Sequence, residues 1–220
     1  MGTIVFDLDG TLADTSGDLL AAANHCFREM GHGDLLLPEA DGAIALRGAR
    51  AMLRAGLERI GAQDEEVVDR YYPVLLEAYE AEIDRHTVLF DGTMEAIGAL
   101  RQAGHRTAIC TNKPERLAIK LIDRLGIAES FDSLIGADTL PVSKPDPAPF
   151  LAAVERSGGS TQRATLIGDT VTDRDTARAA GVPSILVTFG PSGPLAPSLH
   201  PDHLLDHFDK LPDLIARLGL

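Results

Sequence analysis

Short runs of Ile, Val, Leu and Ala, each ending in polar residues, recur at residues 3–7, 106–111, 133–136, 164–168 and 183–189. Unbroken apolar runs of this length read as strands buried on both faces. Between the later ones the apolar positions adopt helical spacing, over residues 91–104, 114–126, 147–158 and 172–181. Pro114 and Pro147 open two of these segments, and Gly104, Gly126, Gly158 and Gly181 close all four, as helix entry and C-cap chemistry prefer. Strand alternating with helix predicts an α/β fold with a doubly wound, parallel, Rossmann-like sheet.

One interval breaks the rhythm. Residues 15–85 carry helical patterns at 16–30, 43–60 and 64–83 but no strand pattern, so about seventy residues separate the first strand from its expected crossover helix. A helical domain inserted after strand one accounts for this, with residues 1–14 and 86–220 as the α/β core, 15–85 as the insertion, and junctions near 13–16 and 85–90. Pro191, Pro194, Pro197 and Pro201 mark residues 190–201 as an irregular loop before a last short helix over 211–218.

The net charge of −13 changes the picture more than the rest of the composition does. So acidic a surface repels a phosphate backbone, which argues against nucleic acid as a partner. An anionic substrate would need a local cation or a cluster of donors. Cys26 and Cys110 form no CxxC pair, which fits buried thiols in a reducing compartment and predicts a cytoplasmic protein without redox chemistry. No apolar run is long enough to span a membrane, so no membrane partner is expected, and the oligomeric state is not legible.

In a doubly wound sheet the carboxyl ends of the strands face one crevice, where ligands bind. Strand one delivers Asp7 and Asp9 there, strand two Thr111-Asn112-Lys113, the segment after strand three Ser143-Lys144-Pro145-Asp146, and strand four Gly168-Asp169 with Asp173 four residues on. Each cluster alone reads equally well as a turn or a helix cap. Together they bring acids, a hydroxyl and an ammonium to one edge, which is what a phosphate and a divalent cation require. With no His or Cys nearby, the cation is expected to be Mg²⁺ rather than zinc.

The order DxDGT, Thr-Asn, Lys-Pro, GDxxxD resembles the haloacid dehalogenase superfamily of aspartate-dependent phosphotransferases. The insertion, with DGTLADT, TNKP, SKPDP and GDTVTD, is similar to its phosphoglycolate phosphatase branch. The resemblance implies an Mg²⁺-dependent phosphatase acting on a small phosphorylated metabolite, 2-phosphoglycolate foremost, through an aspartyl phosphate. Asp7 would be the nucleophile and Asp9 the general acid and base. Lys144 would supply fixed positive charge, and Thr111 with the N–H of Asn112 would bind phosphate oxygens. Asp7, Asp9 and Asp169 would hold the metal, the Asp9 position also through its carbonyl. Thr11 would orient Asp9, and Asp173 would hold Lys144 or a metal water or, equally, serve as a first-turn carboxylate of its helix.

The insertion would act as a cap in which Arg47 and Gly48 read a second anionic group of the substrate, an arginine on a solvated helix face being the alternative. Arg50 and Arg54 read as such solvated arginines, and Lys113 as a surface lysine. His200, His203 and His207, near Pro201 and on a polar helix with Asp202 and Asp206, read as a solvated face rather than zinc ligands. Other readings stay open: a phosphomutase of the β-phosphoglucomutase type, a phosphatase for pyrophosphate or a sugar phosphate, a dehalogenase, or a binding protein on an inactive scaffold. Thr11 counts against the mutase, where the compared sequences carry Val. The acids at 9 and 169 count against the dehalogenase, and the full set of site residues counts against an inactive scaffold.

Overall fold

The computed structural model describes residues 1–220, and the chain divides into two compact units: Met1–Ala13 with Leu89–Leu220, and Asp14–Val88. The chain passes between them at two short strands, β2 (Ala13–Asp14) and β3 (Val88–Leu89).

The first unit is built on a six-stranded parallel sheet of β1 (Thr3–Phe6), β4 (Arg106–Cys110), β5 (Ser133–Ile135), β6 (Ala164–Gly168), β7 (Ser184–Val187) and β8 (His203–Leu205), in the order β5-β4-β1-β6-β7-β8. All four residues of β1 are buried, as its unbroken apolar run requires of a central strand. Val5 joins Ala108, Cys110, Ile135 and Leu166 in a core completed by Phe150 and Val154 of helix α7 (Ala148–Arg156) and Ala177 of α8 (Val171–Ala180). Helices α5 (Thr93–Gln102) and α9 (Leu211–Arg217) pack on each other, α5 also against β4, and α6 (Glu115–Arg124) packs against β5. The chain runs from β1 to β4 and β5 on one side and returns to β6, β7 and β8 on the other. Strand order therefore reverses at β1, the place where such sheets bind ligands.

The second unit is four helices, α1 (Ser16–Glu29), α2 (Pro38–Ala45), α3 (Ala49–Arg59) and α4 (Glu65–Ala81). Its core includes Phe27, Leu36, Met52, Leu53, Leu75 and Tyr79. Gly56 lets α1 and α3 approach, since a Cβ there would lie 2.0 Å from the Phe27 ring. Buried polar groups fix the connections. Asn24 accepts from the amides of Leu35 and Leu36 and donates to the Leu36 carbonyl, while Asp41 accepts from Leu37 and pairs with Arg59. Asp18, in the first turn of α1, accepts from the amides of His86 and Thr87 and from the Thr87 hydroxyl.

Three expectations are corrected. Residues 43–60 are not one helix: the chain breaks between α2 and α3 at Gly48, whose φ of +93° lies outside the helical region. The loop over 190–201 contains a 3-10 turn, Gly193–Leu199. His203 lies on a sixth strand rather than a polar helix, with His207 beyond that strand's end and His200 before it in the left-handed region at φ +52°. That strand is only three residues long at the sheet edge, so it leaves no alternation to detect.

Asp202 sets the start of β8. Its carboxylate accepts from the backbone N–H of Ser184 at 2.9 Å and from its hydroxyl at 2.7 Å, and its own N–H donates to the Ser184 hydroxyl at 3.0 Å. These bonds, the Ser184 amide first, hold the Asp202 carboxyl below its ordinary range. A depressed folded-state value means stability that is present above the unfolded value, about 3.9, and is lost as pH falls through the lower folded one. Asp202→Asn is therefore expected to flatten the fall in melting temperature on acidification below about pH 4. Parallel melting profiles for variant and wild type in that range would show that these bonds contribute nothing.

Candidate active site

The registers place the ends of β4, β1 and β6 side by side: Phe6 lies opposite Ile109 on one flank and Ile167 on the other. The Asp7 N–H continues the ladder, donating to the Ile167 carbonyl at 2.8 Å. The Leu8 carbonyl then gathers the amides of Thr11, Leu12 and Ala13, a turn that Gly10 completes at φ +79°. Strand one thus ends with Asp7 buried and Asp9 half-buried at the switch point.

Lys144 is the centre of charge. It is 4% exposed, and its Nζ lies 2.6 Å from Asp173 Oδ1 and 3.0 Å from Asp7 Oδ1. Burial alone would lower the pKa of such an ammonium, but Asp173 and then Asp7 outweigh it and hold Lys144 above its ordinary value. Its backbone is gripped by Asn112, whose Nδ2 donates to the Lys144 carbonyl at 2.9 Å and whose Oδ1 accepts from the Lys144 N–H at 3.0 Å. The Asn112 side chain therefore holds the lysine loop. Beside it, buried Thr111 accepts from the Lys113 N–H at 3.2 Å, which leaves its own hydroxyl proton to donate.

Asp173 has donors on both of its oxygens. One oxygen takes Lys144, and the other takes the Thr170 hydroxyl at 2.6 Å, the Thr170 amide at 3.1 Å and the Asp169 amide at 3.3 Å. Thr170 and Asp173 form a capping box on α8, so Asp173 both holds Lys144 and starts its helix. Asp169 differs. Its Oδ1 accepts from the Thr11 hydroxyl at 3.3 Å, yet Oδ2 is buried without a partner. Burial first, then Asp173 and Asp7, raise its pKa well above the ordinary carboxylate value, with the Ser192 side chain opposing the rise. Asp7 is pushed up to about 6, mainly by burial, with Lys144 opposing and Asp173 and Asp9 adding to the rise. Its Oδ1 is charge-paired with Lys144 but makes no aligned hydrogen bond.

Carboxylate oxygens of Asp7, Asp169 and Asp173 lie within 4.8 Å of one another. Three buried carboxylates against one ammonium leave two negative charges in excess, and Asp7 and Asp169 offer the uncommitted oxygens. An all-oxygen donor set with that charge fits a hard dication such as Mg²⁺.

Three sequence expectations change here. Lys113 is not a solvated surface lysine: it is 7% exposed, and its Nζ lies 2.7 and 3.0 Å from the two oxygens of Asp9. The Asp9 carboxylate, committed to Lys113, is not part of the acidic cluster. The Thr11 hydroxyl is directed to Asp169 rather than to Asp9. The expectation for Asn112 concerns its backbone N–H, which the side-chain bonds to the Lys144 loop leave untouched. Ser192 went unnoticed because a serine in a proline-rich loop carries no motif.

In the inserted unit, Arg47 is exposed without an ion-pair partner and precedes Gly48 at the start of α3. Arg50 and Arg54 are exposed and engaged, Arg50 with Asp69 and the Tyr72 ring, Arg54 with both oxygens of Glu65.

A doubly wound sheet with this arrangement of acids and lysine at its switch point indicates a class of hydrolases and phosphotransferases. Residues 4–187 match the model of the haloacid dehalogenase-like hydrolase family, and the chain belongs to that family and is an enzyme of it. Phosphoglycolate phosphatase of Agrobacterium fabrum is 37% identical over 216 residues, covering 97% of this chain and 92% of that protein. Phosphoglycolate phosphatase of Cereibacter sphaeroides is 35% identical over 223 residues, 99% of both. Among solved structures, a predicted phosphoglycolate phosphatase of Haemophilus somnus superposes with a TM-score of 0.84 at 23% identity, over 97% of both chains. A predicted phosphatase of Clostridium acetobutylicum does so with a TM-score of 0.80 at 21%, over 100% of this chain and 99% of that one. At these identities the structural likeness is one of fold.

Gly168 gives the site a sharp steric test. A Cβ there would lie 2.2 Å from the Asp173 carboxyl carbon, so alanine must displace the carboxylate that holds Lys144 and caps α8. Gly168→Ala is expected to destabilise the protein by about 1–3 kcal/mol in chemical denaturation. An unchanged denaturation midpoint would show that Asp173 can be moved freely.

Proposed function

We propose that the protein is an Mg²⁺-dependent phosphatase that hydrolyses a small phosphate monoester through an aspartyl phosphate on Asp7, with 2-phosphoglycolate the leading substrate. The observation that carries the reading is the placement of Asp7: a buried carboxylate at the switch point, 3.0 Å from a buried ammonium and beside a second carboxylate with an unpaired oxygen. A carboxylate can attack a phosphate dianion only where positive charge cancels the repulsion. The curated relatives' name supports the substrate.

In this reading an oxygen of Asp7 attacks phosphorus and the bond to the leaving oxygen breaks, Asp9 giving that oxygen its proton. Water then attacks the aspartyl phosphate, Asp9 takes the water's proton, and the P–O bond to Asp7 breaks to release inorganic phosphate. Lys144, the Thr111 hydroxyl and the Asn112 N–H hold the nonbridging oxygens. Asp7 and Asp169, with the Asp9 carbonyl by family resemblance, would hold Mg²⁺, which supplies positive charge against the phosphate oxygens. Asp173 fixes Lys144, and Thr11 fixes Asp169.

Phosphate release is to be measured from 2-phosphoglycolate, sugar phosphates, pyrophosphate and nucleotides, each with Mg²⁺ or with EDTA. Release is expected with Mg²⁺ alone and fastest from 2-phosphoglycolate; no release from any member rejects the hydrolase reading, and another preferred member replaces the substrate. Asp7→Asn is expected to abolish turnover while the protein stays folded by circular dichroism, and substantial residual activity would assign the nucleophile elsewhere. Arg47→Ala is expected to slow 2-phosphoglycolate more than p-nitrophenyl phosphate, while an equal loss on both removes Arg47 from substrate selection.

A further inference from the structure

We infer that Lys113 is a positioning residue for Asp9, holding its carboxylate for the water-attack half of the reaction; this rests on the phosphatase reading above. The Lys113 side chain is 3% exposed and the Asp9 side chain 16%, and the ammonium contacts both carboxylate oxygens, at 2.7 and 3.0 Å. An ammonium against both oxygens, held in a buried position, fixes where the carboxylate head sits. The lysine is anchored in its turn, because its backbone N–H donates to the Thr111 hydroxyl oxygen and its carbonyl accepts from Ala137 at 2.9 Å. The cation is therefore held by the same turn that carries the phosphate-binding hydroxyl.

The pairing also separates Asp9 from the other acids. Asp7 and Asp173 share Lys144 and lie in one cluster with Asp169, while Asp9 has a cation of its own. An acceptor-only carboxylate with both oxygens against an ammonium keeps further lone pairs, so it can still take a proton from water. In the first half of the reaction Asp9 must give a proton, for which an ammonium partner offers no advantage. In the second half it must accept one while staying within reach of the attacking water, and there the fixed position of the carboxylate matters. Loss of Lys113 thus weighs on breakdown of the aspartyl phosphate more than on its formation.

The test compares wild type, Lys113→Met, which keeps the length of the side chain without its charge, and Lys113→Arg. Steady-state rates with Mg²⁺ are measured on 2-phosphoglycolate and p-nitrophenyl phosphate, and acid-quenched enzyme is weighed by mass spectrometry for the phosphoenzyme. If breakdown is slowed, the phosphoenzyme fraction rises in Lys113→Met. Its kcat falls about 10- to 100-fold, part of what a general acid-base group contributes, to a common value on both substrates, with KM falling alongside. Lys113→Arg restores part of the loss. A fall in kcat without phosphoenzyme overturns the inference, as does a rise in KM confined to 2-phosphoglycolate, which would make Lys113 a reader of the substrate carboxylate. Lys113→Gln serves under the same criteria if the methionine variant does not fold. A wild type inert on both substrates overturns the phosphatase reading itself, whereas an active wild type with unchanged phosphoenzyme in the variants overturns only the role of Lys113.

Discussion

A lysine ammonium buried to 4% exposure among carboxylates is the constraint on which the site depends. Removing one partner of a buried, hydrogen-bonded ion pair typically costs about 3–5 kcal/mol, because the other charge is left uncompensated. The surroundings are arranged accordingly. Asn112 grips the lysine's backbone, Thr170 and α8 fix Asp173, and Gly168 leaves the space in which that carboxylate sits. Each holds the charge indirectly, through backbone or helix geometry.

Four acids share this edge of the sheet and their environments divide them. Asp173 has donors on both oxygens, Asp9 has its own lysine, and Asp7 and Asp169 are buried with oxygens left over. Desolvation without enough compensating charge raises the pKa of the last two, which marks them as the pair with electrostatic work still to do. Differences in burial and donor count, rather than residue type, assign the roles.

The parallel sheet was legible because its central strands are wholly buried and so are written as unbroken apolar runs, and the crevice because strand ends in such a sheet are topologically fixed. Most site residues could be named on that basis. What escaped was decided by partners distant in the chain. Lys113 is separated from Asp9 by 104 positions, and lysine is ordinarily a solvated residue, so its burial was invisible until the strands were aligned. Thr11 likewise chose Asp169 over its near neighbour. The Gly48 break was lost inside a continuous helical pattern that both flanking helices satisfy, and β8 was too short to show a period.

Asp18 binds the amides of His86 and Thr87, so residues near the two ends of the Asp14–Val88 unit are held together by one side chain. Loop-closure entropy depends on whether ends are already joined, and the length between joined ends adds little. To the α/β fold the inserted helices therefore amount to a short hairpin, whatever their number. A unit closed on itself in this way is an exchangeable cassette: it can be lengthened, shortened or replaced without disturbing the folding of the α/β unit.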